Sequence, residues 1–254
     1  MKAHRIEGAV GLVTGANRGI GRALTEALLA RGVRKVYATA RNPEALRLRA
    51  LRDERIVLLR LDVTDAHQIR AAAEAASDVD LVFNNAGVSL ARGLADRTFL
   101  DQARREMDVN YFGPLQLLQR LAPTLARNGG GAFINIGSAA GLTNVPMFPT
   151  YSASKAALHS LTQAARILLG VQGTSVFGVY AGPVDTDMTR DLALPKTSPR
   201  DVASAILDGI EAGQEDIFPD PFAVDFGRQF ESSPKAAERQ IAAMAAAMRS
   251  ASAA

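Results

Sequence analysis

The sequence predicts an α/β fold, a doubly wound parallel sheet with helices on both faces, in one domain spanning residues 1–254. Three observations carry this reading. Short apolar runs alternate with segments of helical period, polar motifs follow the ends of the apolar runs, and no linker rich in Gly, Ser or Pro divides the chain. The strand candidates are residues 9–13, 33–39, 56–61, 79–83, 132–136 and 175–180, and helical period runs through 20–30, 66–76, 108–126 and 152–169. Repeated strand-then-helix alternation calls for a ligand crevice at the carboxyl ends of the strands. Beyond Pro183 the texture changes: 185–199 is short and turn-rich, 201–211 is helical in pattern, and 215–218 suits a last edge strand. Residues 234–254 form an Ala-rich helical tail whose end, 250–254, is expected to fray.

Composition bounds the function. With 254 residues, 48% of them hydrophobic, the chain can bury a substantial core. It has no cysteine, which removes disulfides, thiolate catalysis and zinc–thiolate sites. His4, His67 and His159 are scattered without metal-ligand spacing, so no metal is expected. The first eight residues lack an apolar core with a small-residue cleavage site, and no apolar run nears the ~20 residues that span a bilayer. A cytoplasmic protein with no membrane partner is expected. The net charge is +3 with basic and acidic residues interspersed, and there is no Trp, so neither a basic stripe nor a stacking cluster suggests nucleic acid. Modest basicity suits a phosphate-bearing small ligand equally well.

The first strand runs into Thr14-Gly15-Ala16-Asn17-Arg18-Gly19-Ile20-Gly21, a strand-to-helix turn with glycines in a G-x-x-x-G-x-G pattern. A helix opening at Ile20 offers unpaired N–H groups and a positive dipole end to a pyrophosphate. A bare glycine cluster is also what a tight turn needs. Enzymes specific for NAD usually carry an acid at the end of the second strand to bond the ribose 2′-hydroxyl. Here 36–42 contain no acid, whereas Arg41 at the tip and Arg18 in the turn suit a 2′-phosphate through charge-assisted hydrogen bonds, which favours NADP(H). The plainer alternative is that both arginines are solvated surface charges. Tyr151 and Lys155 stand four residues apart, one turn on a helix, where an ammonium favours the phenolate and lowers its pKa. Alone, such a pair is commonly a surface contact.

Taken in order, these motifs resemble the short-chain dehydrogenase/reductase family in its compact form of roughly 250 residues. The resemblance runs to about Phe218. It comprises the turn from Thr14 to Gly21, Asp62-Val63 after the third strand, Asn84-Asn85-Ala86-Gly87 after the fourth, Asn110 in a helix, Ser138 after the fifth, and Tyr151-x-x-x-Lys155. It implies a Rossmann-type sheet and four catalytic residues: Tyr151 as general acid/base, Lys155 lowering its pKa and binding the nicotinamide ribose, Ser138 bonding the substrate oxygen, and Asn110 holding a water that extends the proton path. It also implies that Gly15, Asn17, Arg18, Gly19, Ile20 and Gly21 hold the cofactor. Asp62 and Val63 would meet the adenine, and Asn85, Ala86 and Gly87 would line the adenosine ribose side. Val184 and Thr186 would reach the carboxamide. One departure stands out: after the sixth strand the family usually has Pro-Gly-x-x-x-Thr, and here Ala181 replaces the proline ahead of Gly182 and Thr186.

The expected activity is NADPH-dependent interconversion of a ketone or aldehyde and the corresponding alcohol, without a metal. The expected pocket lies between Ser138, 142–151 and a substrate loop over 184–198. Leu142, Val145, Met147, Phe148, Met188 and Leu192 would form an apolar wall beside Tyr151. The rival class is an NADP-sensing binding protein of the same fold without turnover. The family is commonly dimeric or tetrameric through helices near 108–126 and 152–169. Ala153, Ala156, Ala157, Ala164 and Ala165 would either allow a close homodimer or homotetramer contact or face their own sheet.

Overall fold

The computed structural model describes residues 1–42, 53–90 and 97–252, with side chains described to residue 246. Seven strands, β1 Val10–Val13, β2 Lys35–Ala40, β3 Ile56–Arg60, β4 Leu81–Asn84, β5 Ala132–Ile136, β6 Ser175–Val179 and β7 Asp216–Ile217, form one sheet. Their order is β3-β2-β1-β4-β5-β6-β7 and every pairing is parallel. All residues of β1, β4, β5 and β6 are buried, as central strands covered on both faces require.

Two helical layers cover the sheet. On one face α1 Gly19–Ala30 and α6 Pro199–Ala212 contribute Leu24, Leu28, Val202 and Ile206 to a core with Val13, Phe83, Ile134 and Phe177. On the other, α2 Ala66–Ala75, α4 Gly113–Arg127 and α5 Pro149–Gly170 bring Ile69, Leu117, Leu121, Ala165 and Leu169 against Leu12, Val82, Phe133 and Val176. Local signals set the ends: the Asp65 carboxylate accepts from the His67 and Gln68 amides to start α2, and Gly213 at φ 70° ends α6. On α5, Ala165 faces its own sheet, whereas Ala153, Ala156 and Ala164 are exposed, as are Ile167, Leu168 and Val171.

The helix expected at 108–126 begins earlier and is not uniform. α3 Phe99–Met107 precedes a π-helical turn, Asp108–Phe112, that leads into α4. Of the α3 residues only Glu106 is buried, so α3 has no apolar stripe for a periodicity search to find. A second unexpected helix, α7 Pro221–Ser232, follows β7. Pro219 and Pro221 read as breakers, yet Pro221 sits in the first turn, where a missing N–H costs nothing, and Asp220 caps it. The tail forms α8 Pro234–Ser252; Ala253 and Ala254, at the end expected to fray, lie outside the described residues.

Candidate active site

The strand order reverses between β1 and β4, and the glycine-rich turn lies at that point. Gly15 and Gly19 have φ of 66° and 54°, conformations that glycine takes without strain. A Cβ on Gly21 would stand 2.3 Å from Asn85 Nδ2 and 2.4 Å from the Gly15 oxygen, and one on Gly15 would stand 3.1 Å from Ala86 Cα. The turn therefore lies flush against the segment after β4. Thr14 fastens it there: its hydroxyl donates to the Phe83 oxygen at 3.2 Å and accepts from the Asn85 and Ala86 amides at 2.9 Å each. Asn85 returns the contact, its Nδ2 donating to the Thr14 oxygen at 2.8 Å.

The N-cap residue of α1, Arg18, makes no side-chain capping bond. Uncapped first-turn amides beside glycines that leave backbone bare fit a dinucleotide pyrophosphate. Glycine at 87 also leaves room, since a Cβ there would come within 3.3 Å of Asn110 Oδ1 and 3.6 Å of Lys155 Nζ. Arg41 is exposed just past β2, and its charge bears on Asp62. Burial raises the Asp62 pKa, but bonds from the Thr64 hydroxyl and amide, with Arg105 and Arg41 nearby, leave it below the usual carboxylate value. Arg18 reaches across the cleft to Asp187 at 2.7 Å. This ion pair is well exposed and adds little stability, so it is easily exchanged for another anion.

Ser138 follows β5, and Tyr151 and Lys155 lie one turn apart near the start of α5. Tyr151 is hydrogen-bonded with Ser138, yet burial pushes its phenol up to about 12, with the negative charge of Glu106 adding to the rise. Burial brings Lys155 down to about 8. Its Nζ donates to the Ile136 oxygen at 2.8 Å and stands 5.8 Å from the centre of the Tyr151 ring. Burial sets the direction of the Tyr151 shift here, and the ammonium is turned to a backbone oxygen.

Asn110, in the π-helical turn, is fully buried. Its Oδ1 accepts from the Val88 amide, and its Nδ2 donates to the Val88 oxygen and to Ser154 Oγ, all at 2.9 Å. Its side chain thus ties the segment after β4 to α5, beside the expected water-holding role. Behind the site Asn84 Nδ2 donates to Asn135 Oδ1 at 2.8 Å and Asn135 Nδ2 to Thr162 Oγ1 at 2.9 Å, a buried polar link from β4 through β5 to α5.

The family model described as short chain dehydrogenase matches residues 9–196, well over half of the chain. The chain belongs to the short chain dehydrogenase family. It is 36% identical to a Burkholderia cenocepacia short chain dehydrogenase solved in complex with NADP, with TM-score 0.88 over 94% of this chain and 99% of that one. A Burkholderia phymatum short chain dehydrogenase/reductase solved in complex with NAD is 26% identical, with TM-score 0.78 over 89% and 94%. An uncharacterized oxidoreductase of Staphylococcus aureus is 33% identical over 207 residues, 78% of this chain and 89% of that protein. The protein is thus an oxidoreductase of this family with a Rossmann-type fold, in a family whose members bind a nicotinamide cofactor.

In this short chain dehydrogenase an apolar cavity of about 130 Å³ opens beside Ser138 and Tyr151. Val145, Met147, Phe148, Met188 and Leu192 line it as expected, but Leu142 does not. Leu142 instead packs into a small cluster around Ala139, Phe226, Ala237 and Ile241. The loop past β6 is closed at its base by a parallel bridge between Val184 and Thr197. Thr186 and Thr189 then bond reciprocally around a short 3-10 turn.

Sequence reasoning missed several contributors. Phe222 on α7 and Ile241, Met244 and Ala245 on α8 help line the cavity, and nothing in a generic Ala-rich tail marks the last three. Asp220, 4% exposed, accepts from the Gly182 amide at 2.7 Å and the Ala223 amide at 2.9 Å, joining the loop that follows Ala181 to α7. With Ala181 in place of the usual proline, that carboxylate fixes the loop start, and the Ala181 oxygen accepts from the Ala139 amide at 3.0 Å and from Ser138 at 3.3 Å. Thr14 was visible in sequence only as the first residue of the glycine turn.

Proposed function

We propose that this oxidoreductase is an NADPH-dependent carbonyl reductase that also runs as an alcohol dehydrogenase, with Tyr151 as general acid/base. The observation that carries the reading is the meeting of Ser138, Tyr151 and Lys155 between the glycine crevice and a cavity whose described lining residues carry no charge. When bound, the reduced nicotinamide supplies the hydride that adds to the carbonyl carbon, leaving NADP+. The Tyr151 hydroxyl gives its proton to the carbonyl oxygen, and Ser138 donates to that oxygen as its charge grows. A phenol pushed up to about 12 holds its proton at neutral pH and suits the reducing direction. Lys155 binds ribose hydroxyls, and Asn110 orders a water that returns a proton to Tyr151 through Lys155. Gly15, Asn17, Gly19, Ile20 and Gly21 hold the pyrophosphate, Asp62 and Val63 the adenine, and Asn85, Ala86 and Gly87 the adenosine ribose side. Arg41 and Arg18 hold the 2′-phosphate, a choice supported by the NADP in the Burkholderia cenocepacia relative. Val184 and Thr186, in the substrate loop 184–198, meet the carboxamide.

The setting we propose is a cytoplasmic enzyme acting on a small carbonyl or alcohol and assembling with copies of itself. The exposed apolar residues Ile167, Leu168 and Val171 on α5 support that association. The test is NADPH consumption by wild type and Tyr151→Phe against aliphatic, aromatic, steroid-like and quinone carbonyls, with NADH in parallel. Turnover lost by a thousandfold or more in Tyr151→Phe is the expected result. Tight NADPH binding with turnover that survives the substitution, or with none in wild type, overturns the reading.

A further inference from the structure

The cavity beside Tyr151 is lined in part by the C-terminal helices. Ile241 and Ala245, one turn apart on α8, are buried, and Met244 beside them is half-buried. On α7, Phe222 stacks against Phe226 with ring centres 6.0 Å apart, and Phe226 packs with Ala139, Ala237 and Ile241. The α7–α8 hairpin is thereby fastened to the short turn that follows Ser138. It forms a fixed wall of the cavity rather than a loose appendage.

The lining chemistry is narrow. Among the described residues no side chain that lines the cavity carries a charge. Thr189 turns its hydroxyl to the Val184 oxygen, and Ser138 shares its own between the Ala181 oxygen and Tyr151. A carboxylate or phosphate carried into this space would lose its hydration and meet no counter-charge among the described lining residues, which is strongly unfavourable. The volume, about 130 Å³, also sets a scale. An apolar protein cavity of about 150 Å³ takes up benzene, so this one suits a body of roughly six to nine non-hydrogen atoms.

We infer that α8 is the roof of the substrate pocket and that Met244, which lines the cavity with Phe222, limits substrate size. The substrate is a compact, uncharged, monocyclic or short branched ketone or aldehyde whose carbonyl is its one strongly polar group. This inference rests on the reductase reading above and adds the substrate class. Met244 is the gate because a methionine side chain adapts to small differences in ligand shape yet blocks a second fused ring.

The experiment compares benzaldehyde, 4-carboxybenzaldehyde and 2-naphthaldehyde on wild type, Met244→Ala and Ala245→Phe with NADPH, and measures binding of the corresponding alcohols to the protein alone by calorimetry. For wild type, kcat/KM for benzaldehyde is expected at least about tenfold above that for either of the other two, the range one buried group confers. In Met244→Ala the ratio of 2-naphthaldehyde to benzaldehyde should rise about tenfold, and Ala245→Phe should weaken benzyl alcohol binding about tenfold. Wild type that prefers the carboxylate or the bicyclic aldehyde, or a ratio unmoved in Met244→Ala, overturns the inference. Size-selective alcohol binding without turnover leaves the roof standing and removes the reductase reading. Turnover without size selectivity does the reverse.

Discussion

Lys155 donates to the carbonyl oxygen of Ile136 at 2.8 Å while standing 5.8 Å from the centre of the Tyr151 ring. The ammonium is thus held by the end of β5 and not by the phenol one turn away. Both groups are pushed toward their neutral forms by burial, Tyr151 up to about 12 and Lys155 down to about 8.

That shift has a consequence for stability. The Lys155 pKa in the folded protein lies below its ordinary value of 10.5, so between about pH 8 and 10.5 the unfolded chain binds the proton that the folded one has lost. Stability from this group therefore rises with pH across that window, and below it the buried ammonium costs on the order of 3 kcal/mol. Lys155→Met removes the charge at similar length and gives up one hydrogen bond, worth about 1 kcal/mol. The variant should be more stable than wild type by about 2 kcal/mol at pH 7, with the advantage gone by about pH 10.5, and should lose turnover. Urea unfolding at the two pH values reads this directly; a difference independent of pH would show that the charge is not the cause.

Glu106 bears on Tyr151 from the other side. It is fully buried, lies one turn ahead of Asn110, and accepts from the Leu90 amide at 2.6 Å, so the two side chains together hold the segment from Val88 to Leu90. Its negative charge raises the Tyr151 pKa, after the larger effect of burial. Glu106→Gln keeps an acceptor for Leu90 and removes the charge, so the phenol should ionise more readily. Alcohol oxidation needs the phenolate, and its rise with pH should therefore begin at lower pH in Glu106→Gln than in wild type. A pH profile of kcat in the oxidising direction checks it, and a limb that stays put or moves upward counts against the coupling.

Much of this arrangement was legible in the chain, and the exceptions have physical reasons. The buried parallel strands announce themselves as apolar runs, and the glycine turn, Asn85, Ser138, Tyr151 and Lys155 each follow a strand end or share a helix face. Helix α3 was hidden because a largely charged segment with one buried residue, itself a carboxylate, has no apolar period. Helix α7 was hidden by prolines that act as a first-turn residue and its flank. The desolvation of Tyr151 and Lys155 was not legible because spacing gives proximity along a helix, whereas desolvation depends on what packs around both groups. The cavity roof was out of reach because Ile241 and Met244 look like any apolar positions in an Ala-rich tail.

Cofactor choice turns on Arg41. It is exposed beyond β2, while Arg18 is paired with Asp187, so Arg41 is the cation better placed to meet a 2′-phosphate without first breaking a bond. A charge-assisted bond to phosphate contributes about 1.5–3 kcal/mol, or roughly tenfold to a hundredfold in affinity. Arg41→Asp should weaken NADPH by that factor and leave NADH within about threefold. Titration of both cofactors by fluorescence checks the difference; equal losses would remove the 2′-phosphate role.

Asp220 joins two parts of the protein that the sequence leaves separate. One carboxylate oxygen takes the Gly182 amide at 2.7 Å and the other the Ala223 amide at 2.9 Å, in a setting that is 4% exposed. The first bond fixes the start of the loop that carries Val184 and Thr186, and the second caps α7, the helix that presents Phe222 to the cavity. A Cβ on Gly182 would lie 2.6 Å from that carboxylate, so the contact is as close as a backbone permits. Asp220→Ala strands two buried amides and removes a cap, for a combined loss of about 2–4 kcal/mol. Asp220→Asn keeps one acceptor and should lose about half as much. Because the loop and the roof share this anchor, KM for the cofactor and KM for the carbonyl should rise together in both variants, in proportion to the stability lost. A variant in which stability falls while both KM values hold would confine Asp220 to capping α7.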